Sequence, residues 1–296
     1  MRIDLHVHSK EGSDGRLGVE EIFAEANRRG VGFISITDHD SVGAQGAAAL
    51  LAARHGMRYV TGAELNVTFT HPSCRSGKPV SLDFLAYGIN VRDRALIDKL
   101  VELAAHRERR ARQILDNLNA ELVREGIAEL TDDDMAAIQA TVDGSIGRPH
   151  IANYLVSKGI VSSRQEAFDR YLVRCDVPKL PLSLADAAGL VHGAGGQLVL
   201  AHPNDPNGTS LAAVSPSLEE QQALIRDAML KWIDGVECWH PRHDPETSRS
   251  YMEFADRLGL MVTGGSDCHQ QPVLVGTVDV PARVAELFAA SRGEGR

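Results

Sequence analysis

Short apolar runs that each end on a histidine or a carboxylate, separated by stretches of helical character, limit what this chain can become. The first run lies in MRIDLHVHSKEGSD, residues 1–14. Ile3, Leu5 and Val7 alternate with Asp4, His6 and His8 at the period of a β-strand, so the two histidines point the same way. Two neutral imidazoles on one face of a rigid strand can chelate one divalent metal. Asp14 follows in a Gly-containing turn, free to swing a carboxylate toward the same place. Alone, His-x-His equally describes a hairpin strand with two exposed histidines, so the weight falls on the other histidines and acids.

Val19, Ile22, Phe23 and Ala26 mark a helix that stops at Gly30, and residues 31–37 read as a buried strand ending in Asp38-His39-Asp40. A helix over about 41–55 leads to a strand at 58–61, with Glu64 just beyond it. Further strands are expected at 65–70 and 79–87, with His71 in the loop between them. Later strands at 197–201, 233–238 and 260–263 end in His202, in Trp239-His240 and in Gly264-Gly265-Ser266-Asp267-Cys268-His269, with helices over 184–195, 217–231 and 245–258. About seven strands alternating with helices predict an α/β fold, a parallel α/β barrel, whose active site is built at the C-terminal strand ends. Between about 91 and 177 the pattern is helical only: Ala111, Leu115, Leu118 and Leu122 keep one stripe, Gly147-Arg148-Pro149 opens a helix, and Ser163 with Glu166 forms a capping box. The domains are therefore a barrel from 1–90 and 182–296 and an inserted helical cap at 91–181; the tail after Ser291 is expected to be disordered.

Composition narrows the class. A net charge of −9 gives no general attraction for nucleic acid or an anionic membrane. No run of eighteen apolar residues and no signal-like N-terminus is present, so no membrane span or leader is expected. Cys74, Cys175, Cys238 and Cys268 form no CxxC pair, which argues for a reducing cytoplasm and against a disulfide framework.

His6, His8, His39, Glu64, His202, Asp267 and His269 all fall at strand ends, on one face of the expected barrel, and all suit divalent first-row metals. They exceed what one ion needs, so two or three ions are implied, with Glu64 and Asp267 as natural bridges. DLHVHSKEGSDG, SITDHDSV, GAEL, LAHP and GGSDCH resemble, in order, the motifs of the PHP family (polymerase and histidinol phosphatase). GRPHIANYL followed by EAFDRYL resembles the helical cap of its small-metabolite phosphoesterases. The resemblance implies a distorted (β/α)7 TIM-like barrel and a trinuclear Mn, Fe or Zn site held by His6, His8, Asp14, His39, Glu64, His202, Asp267 and His269, with Arg148 and His243 holding substrate phosphate. One position departs: where the family usually has a histidine, this chain has Asp83 in an apolar run. A buried carboxylate needs a partner; a metal would serve, a turn or an arginine would serve equally, and His71 is a competing ligand.

The implied chemistry is hydrolysis of a small phosphorylated metabolite: a nucleoside 3′,5′-bisphosphate, a sugar phosphate or a cyclic phosphate of phosphoribose. Hydroxide generated at the metals attacks phosphorus in line, Asp267 belongs to the reacting cluster, Arg148 clamps phosphoryl oxygens, and His243 binds phosphate or protonates the leaving alkoxide. The alternatives are an exonuclease acting on a short RNA or DNA end, and a carbon–nitrogen hydrolase, which usually relies on a bridging modified lysine that no strand end here supplies. His55, His106 and His192 lie within helices and read as structural, and strand alternation turns Cys268 away from its ligand neighbours.

Overall fold

A computed structural model describes residues 1–72, 74, 77–141, 146–269 and 272–290; the tail expected to be disordered lies outside these. Strands β1 (Arg2–Asp4), β2 (Val31–Ile34) and β3 (Arg58–Tyr59) form a parallel sheet in that order. Strands β4 (Gly62–Phe69), β5 (Val80–Tyr87), β6 (Gln197–Leu200), β7 (Gly235–Trp239) and β8 (Met261–Gly264) form a second sheet, also in chain order. Two isolated parallel bridges, Val7 to Cys268 and His39 to Glu64, join the sheets beyond the ends of β1 and β2. The first sheet is crossed over by helices α1 (Val19–Arg28) and α2 (Gln45–Arg54).

The architecture is α/β: the described residues form eight strands in two sheets, and β5 departs from the all-parallel order of the expected barrel. β5 runs antiparallel to both β4 and β6. The reason is local: only residues 70–79 separate β4 from β5, fewer than the dozen or more that a parallel crossover takes, so the chain reverses direction.

Both faces of the N-terminal segment are buried. Ile3, Leu5 and Val7 enter the core while Asp4, His6 and His8 are also buried, so the alternation separates two interior environments rather than core from solvent. Buried Gln45 ties the first sheet to the second: its amide donates to the carbonyls of Ile36 and Gly62 and accepts from the Gly62 N–H.

The chain divides into two compact units, 1–97 with 181–296 and 98–180. The first also holds α7 (Leu184–Gly193), α8 (Leu218–Ala228), α9 (Pro245–Leu258) and α10 (Arg283–Ala290). The second is built on α3 (Arg94–Arg124), within which the division falls, with α4 (Asp132–Gln139), α5 (Arg148–Ser157) and α6 (Arg164–Ala167). It has its own core, in which Leu115, Leu118 and Leu122 meet Ile151, Leu155 and Tyr171. Ser163 caps α6 through the Glu166 N–H, and the Glu166 carboxylate reaches back to Ser162.

Candidate metal centre

The segment ends after β1, β2, β6 and β8 and the start of β4 converge on one point. Glu64 is its hub. Its Oε2 lies 3.4 Å from His6 Nε2, 3.2 Å from His8 Nε2 and 3.1 Å from His39 Nδ1, while its Oε1 lies 3.1 Å from His202 Nε2. Asp267 Oδ1 sits 3.4 Å from His6 Nε2, 3.3 Å from His8 Nε2 and 3.3 Å from His269 Nδ1. Asp14 Oδ1 is 3.4 Å from His269 Nε2 and 4.0 Å from both His8 and His39. Four overlapping groups of potential ligand atoms result among the described residues: His8, Asp14, His39 and His269; His6, His8 and Asp267; His6, Glu64 and His202; and Asp205, His240 and Asp267.

The donor set fits divalent cations. His6 Nδ1 lies 3.1 Å from Glu237 Oε1, so that nitrogen carries the proton and Nε2 offers a lone pair. That lone pair faces two carboxylate oxygens and, at 3.1 Å, the Nε2 of His8. Acceptors facing acceptors at such distances require a proton or a cation between them. Glu64 Oε2, Asp267 Oδ1, Asp14 Oδ1 and His202 Nδ1 are buried atoms without a hydrogen-bond partner among the described residues. The titration shifts agree. Burial opposes charge on His8, yet the Asp267 and Glu64 carboxylates outweigh it and push His8 up to about 10. His202 is raised to about 9, burial again being outweighed by Glu64. Burial likewise opposes ionisation of Glu64 and Asp267, but the surrounding imidazoles hold both well below the usual carboxylate range. His39, where burial wins, is lowered to about 4. Metal ions would replace the protons that this anion-rich cluster otherwise attracts.

Exposure is graded across the cluster. The side chains of His6, His8 and Glu64 are at most 1% exposed, whereas those of Asp14, His39 and His269 are 31%, 27% and 28% exposed. A buried floor with an accessible rim leaves room for a reacting molecule, unlike a closed structural site.

The surrounding residues hold this geometry. The Asp38 carboxylate accepts from the Ser9 N–H, Ser9 Oγ and Ser13 Oγ, fixing the turn that carries Asp14. Asp4 accepts from the backbone N–H groups of Ser266 and Gly276, pinning the segment after β8. Gly265 allows that segment to lie against β1, since a Cβ there would come within 2.3 Å of the His6 nitrogen. His202 and Asp267 adopt positive φ angles of 25° and 48°, an uncommon conformation for non-glycine residues that is concentrated at functional sites.

Other expected residues are placed differently. Asp83 pairs across the sheet with Asn66, whose amide donates to its carboxylate at 2.6 Å. It belongs to none of the ligand groups, although its charge acts on His202. His71 stacks on Phe69. Arg148 opens α5 in the helical unit and pairs with Asp176 at 2.8 Å. His243, expected to bind phosphate or protonate a leaving group, lies just past β7. Its Nδ1 donates to the Cys238 carbonyl and its Nε2 accepts from the Asn204 N–H, while burial lowers it to about 4. Both nitrogens are committed to backbone and the ring is neutral near pH 7. Cys268 packs in the core with Val7 and Val275, as alternation requires. His106 and His192 make local contacts with the Pro178 carbonyl and Asp234.

Glu237 and His240 were absent from the sequence-derived ligand set. Glu237 lies mid-strand in β7 and serves His6 and the His202 N–H together, the latter at 2.7 Å. Its signal in the sequence is the one that drew attention to Asp83, an acid within an apolar strand. His240 accepts the Arg242 N–H at Nδ1, which leaves its Nε2–H to donate to Asp267 Oδ2 at 3.2 Å.

Comparisons with known proteins match this arrangement. The PHP domain family matches residues 4–174. A 3′,5′-nucleoside bisphosphate phosphatase of Chromobacterium violaceum is 32% identical over 90% of this chain and 87% of its own length. A 5′-3′ exoribonuclease of Haemophilus influenzae is 30% identical over 90% of both. The crystal structure of a Chromobacterium violaceum protein described as an amidohydrolase, with sulfate bound, superposes with a TM-score of 0.77 at 30% identity, covering 98% of this chain and 97% of that one. This chain belongs to the PHP domain family, whose phosphoesterases are metal-dependent.

Proposed function

We propose that the protein is a metal-dependent phosphoesterase that hydrolyses a small phosphorylated metabolite, with a nucleoside 3′,5′-bisphosphate, a sugar phosphate and a cyclic phosphate of phosphoribose as the substrate types. The observation that carries this reading is the ring of opposed lone pairs around Glu64 and Asp267, buried at its floor and open at Asp14, His39 and His269. In this reading two to three Mn, Fe or Zn ions are held by the three groups built from His6, His8, Asp14, His39, Glu64, His202, Asp267 and His269. When bound, such ions acidify water and neutralise charge on phosphoryl oxygens.

The chain's own residues supply the rest. Asp267 Oδ1 faces the reacting cluster, and the His240 N–H on Oδ2 keeps the carboxylate oriented toward it. Glu237 fixes the tautomer of His6, and Asp38 fixes the turn bearing Asp14. Asp83, its own orientation set by Asn66, completes the His202 side of the cluster. Arg148 is assigned to the substrate phosphate, exchanging its contact with Asp176 for a bidentate one. The 98–180 unit then acts as a cap inserted into a distorted (β/α)7 arrangement formed by the two sheets and their bridges. A cytoplasmic location suits the four free cysteines, and no described helix is long and apolar enough to cross a membrane.

The names of both curated relatives describe phosphate-ester hydrolysis, one of a nucleotide and one of an RNA end. The net charge of −9 favours the small substrate over the polymer. A carbon–nitrogen hydrolase would call on a lysine, and the ligand groups contain only histidine, aspartate and glutamate. A panel of phosphorylated metabolites, 5′-phosphorylated oligoribonucleotides and amides, tested with metal-replete protein, decides among the three. Turnover of a small phosphate ester is expected; turnover confined to the oligonucleotides or the amides overturns the reading.

A further inference from the structure

Beside the cluster, one guanidinium is anchored on one edge and, among the described residues, open on the other. Arg242 follows β7 in the turn His240-Pro241-Arg242-His243, which is closed by the His243 N–H donating to the His240 carbonyl. Its backbone N–H caps His240 Nδ1, so the residue is fixed to the same imidazole that orients Asp267. Its Nη1 pairs with Oδ2 of Asp205, a carboxylate that is 1% exposed, while the Arg242 side chain remains 48% exposed. Asp205, His240 and Asp267 each place one potential ligand atom within 4.8 Å of the others. The anchored edge of the guanidinium is therefore one carboxylate removed from the reacting cluster.

An arginine needed only to neutralise Asp205 would be expected to commit its fork to it. Here one nitrogen makes the contact and the Asn207 N–H takes the other carboxylate oxygen. The second half of the fork, Nη2 and Nε, is the geometry that grips a phosphate or carboxylate with two parallel donors. Asp205 fixes the plane of the guanidinium, which lowers the entropy lost when that free edge takes a ligand.

Resting on the phosphoesterase reading above, we infer that Arg242 is a specificity-determining residue that binds a second anionic group of the substrate, so that the substrate class is a metabolite carrying two phosphates separated by about the width of a sugar. The phosphate to be cleaved occupies the cluster and the other lies against the free edge of Arg242. Asp205 acts as its positioning residue.

Two measurements on metal-replete wild type, Arg242→Gln and Arg242→Lys test this. The first is the ratio of kcat/KM for adenosine 3′,5′-bisphosphate to that for p-nitrophenyl phosphate. The second is equilibrium binding, by calorimetry, of a slowly hydrolysed adenosine 3′,5′-bis(phosphorothioate) and of its 5′-mono(phosphorothioate). Wild type is expected to favour the bisphosphorylated ligand in both. Arg242→Gln should lower the ratio about ten- to a hundredfold, chiefly through KM, and abolish the binding preference, with Arg242→Lys recovering part of each. Equal losses for one- and two-phosphate ligands would show that Arg242 only neutralises Asp205, and unchanged values in both measurements would remove it from recognition; either overturns the inference. Absence of all phosphate-ester turnover in wild type would instead sink the phosphoesterase reading, and the binding measurement would still decide whether Arg242 selects a second phosphate.

Discussion

Glu237→Gln is nearly isosteric, and its consequence follows from two contacts. The Glu237 carboxylate, fully buried, faces His6 Nδ1 with both oxygens at 3.1 and 3.3 Å and accepts the His202 N–H at 2.7 Å. A glutamine can keep its oxygen at the His202 side, but its NH2 then stands 3.1 Å from His6 Nδ1, donor against donor. The conflict is relieved if His6 changes tautomer, which turns Nε2 from a lone pair into an N–H aimed at Glu64 and Asp267. A charge-assisted bond is worth roughly 1.5–3 kcal/mol against about 0.5–1.5 for a neutral one, so the change costs on the order of 1–2 kcal/mol at each contact. Outer partners of metal-binding histidines typically account for about ten- to a hundredfold in affinity or activity. Glu237→Gln should therefore weaken metal binding and lower kcat by about that factor while the protein stays folded. The assay is titration of metal-stripped wild type and variant with Mn, followed by phosphate release and circular dichroism. Wild-type affinity and turnover in the variant would refute the argument that Glu237 sets the His6 tautomer.

Asp83→Ala should lower both metal occupancy, measured by elemental analysis, and kcat, with Asp83→His restoring binding with an altered ion preference; full occupancy and normal turnover in Asp83→Ala would remove the carboxylate from the metal site. Arg148→Ala should leave metal content and folding intact but cut kcat/KM for a phosphorylated substrate by roughly ten- to a hundredfold, and Arg148→Lys should recover only part, as steady-state kinetics would show. Burial lowers His243 from an ordinary 6.5 to about 4, so between those values the unfolded chain binds a proton that the folded one excludes. Stability contributed by the neutral ring is present above about pH 6.5 and is lost as the pH falls toward about 4. Denaturation midpoints at about pH 7 and pH 5 should then fall more for wild type than for His243→Asn, and equal falls would contradict the buried neutral imidazole.

Much of the centre was legible in the sequence because its residues share one local signal, a histidine or acid just past an apolar strand. His6, His8, His39, Glu64, His202, Asp267 and His269 all carry it, and all converge. Residues that act through another residue carry no such mark. Glu237 sits inside β7, and nothing local says that its partner is His6, 231 positions away. His243 shows the complementary case. It carries the same signal, but its ring is turned into the backbone of Cys238 and Asn204, a choice made by tertiary packing. In the fold, periodicity located the strands but not their direction. The segment between β4 and β5 is too short for a parallel crossover, and the antiparallel pairing that follows departs from the all-parallel order.

The central claim is that opposed lone pairs around Glu64 and Asp267 exist to hold catalytic metal. Metal content and phosphate release, measured on the same preparation before and after exhaustive chelation and again after readdition of Mn, test it most directly. The account predicts two to three equivalents of divalent first-row metal, loss of phosphate release on chelation, and its return with the metal. Protein that holds no metal and releases phosphate at the same rate with or without chelator would contradict it.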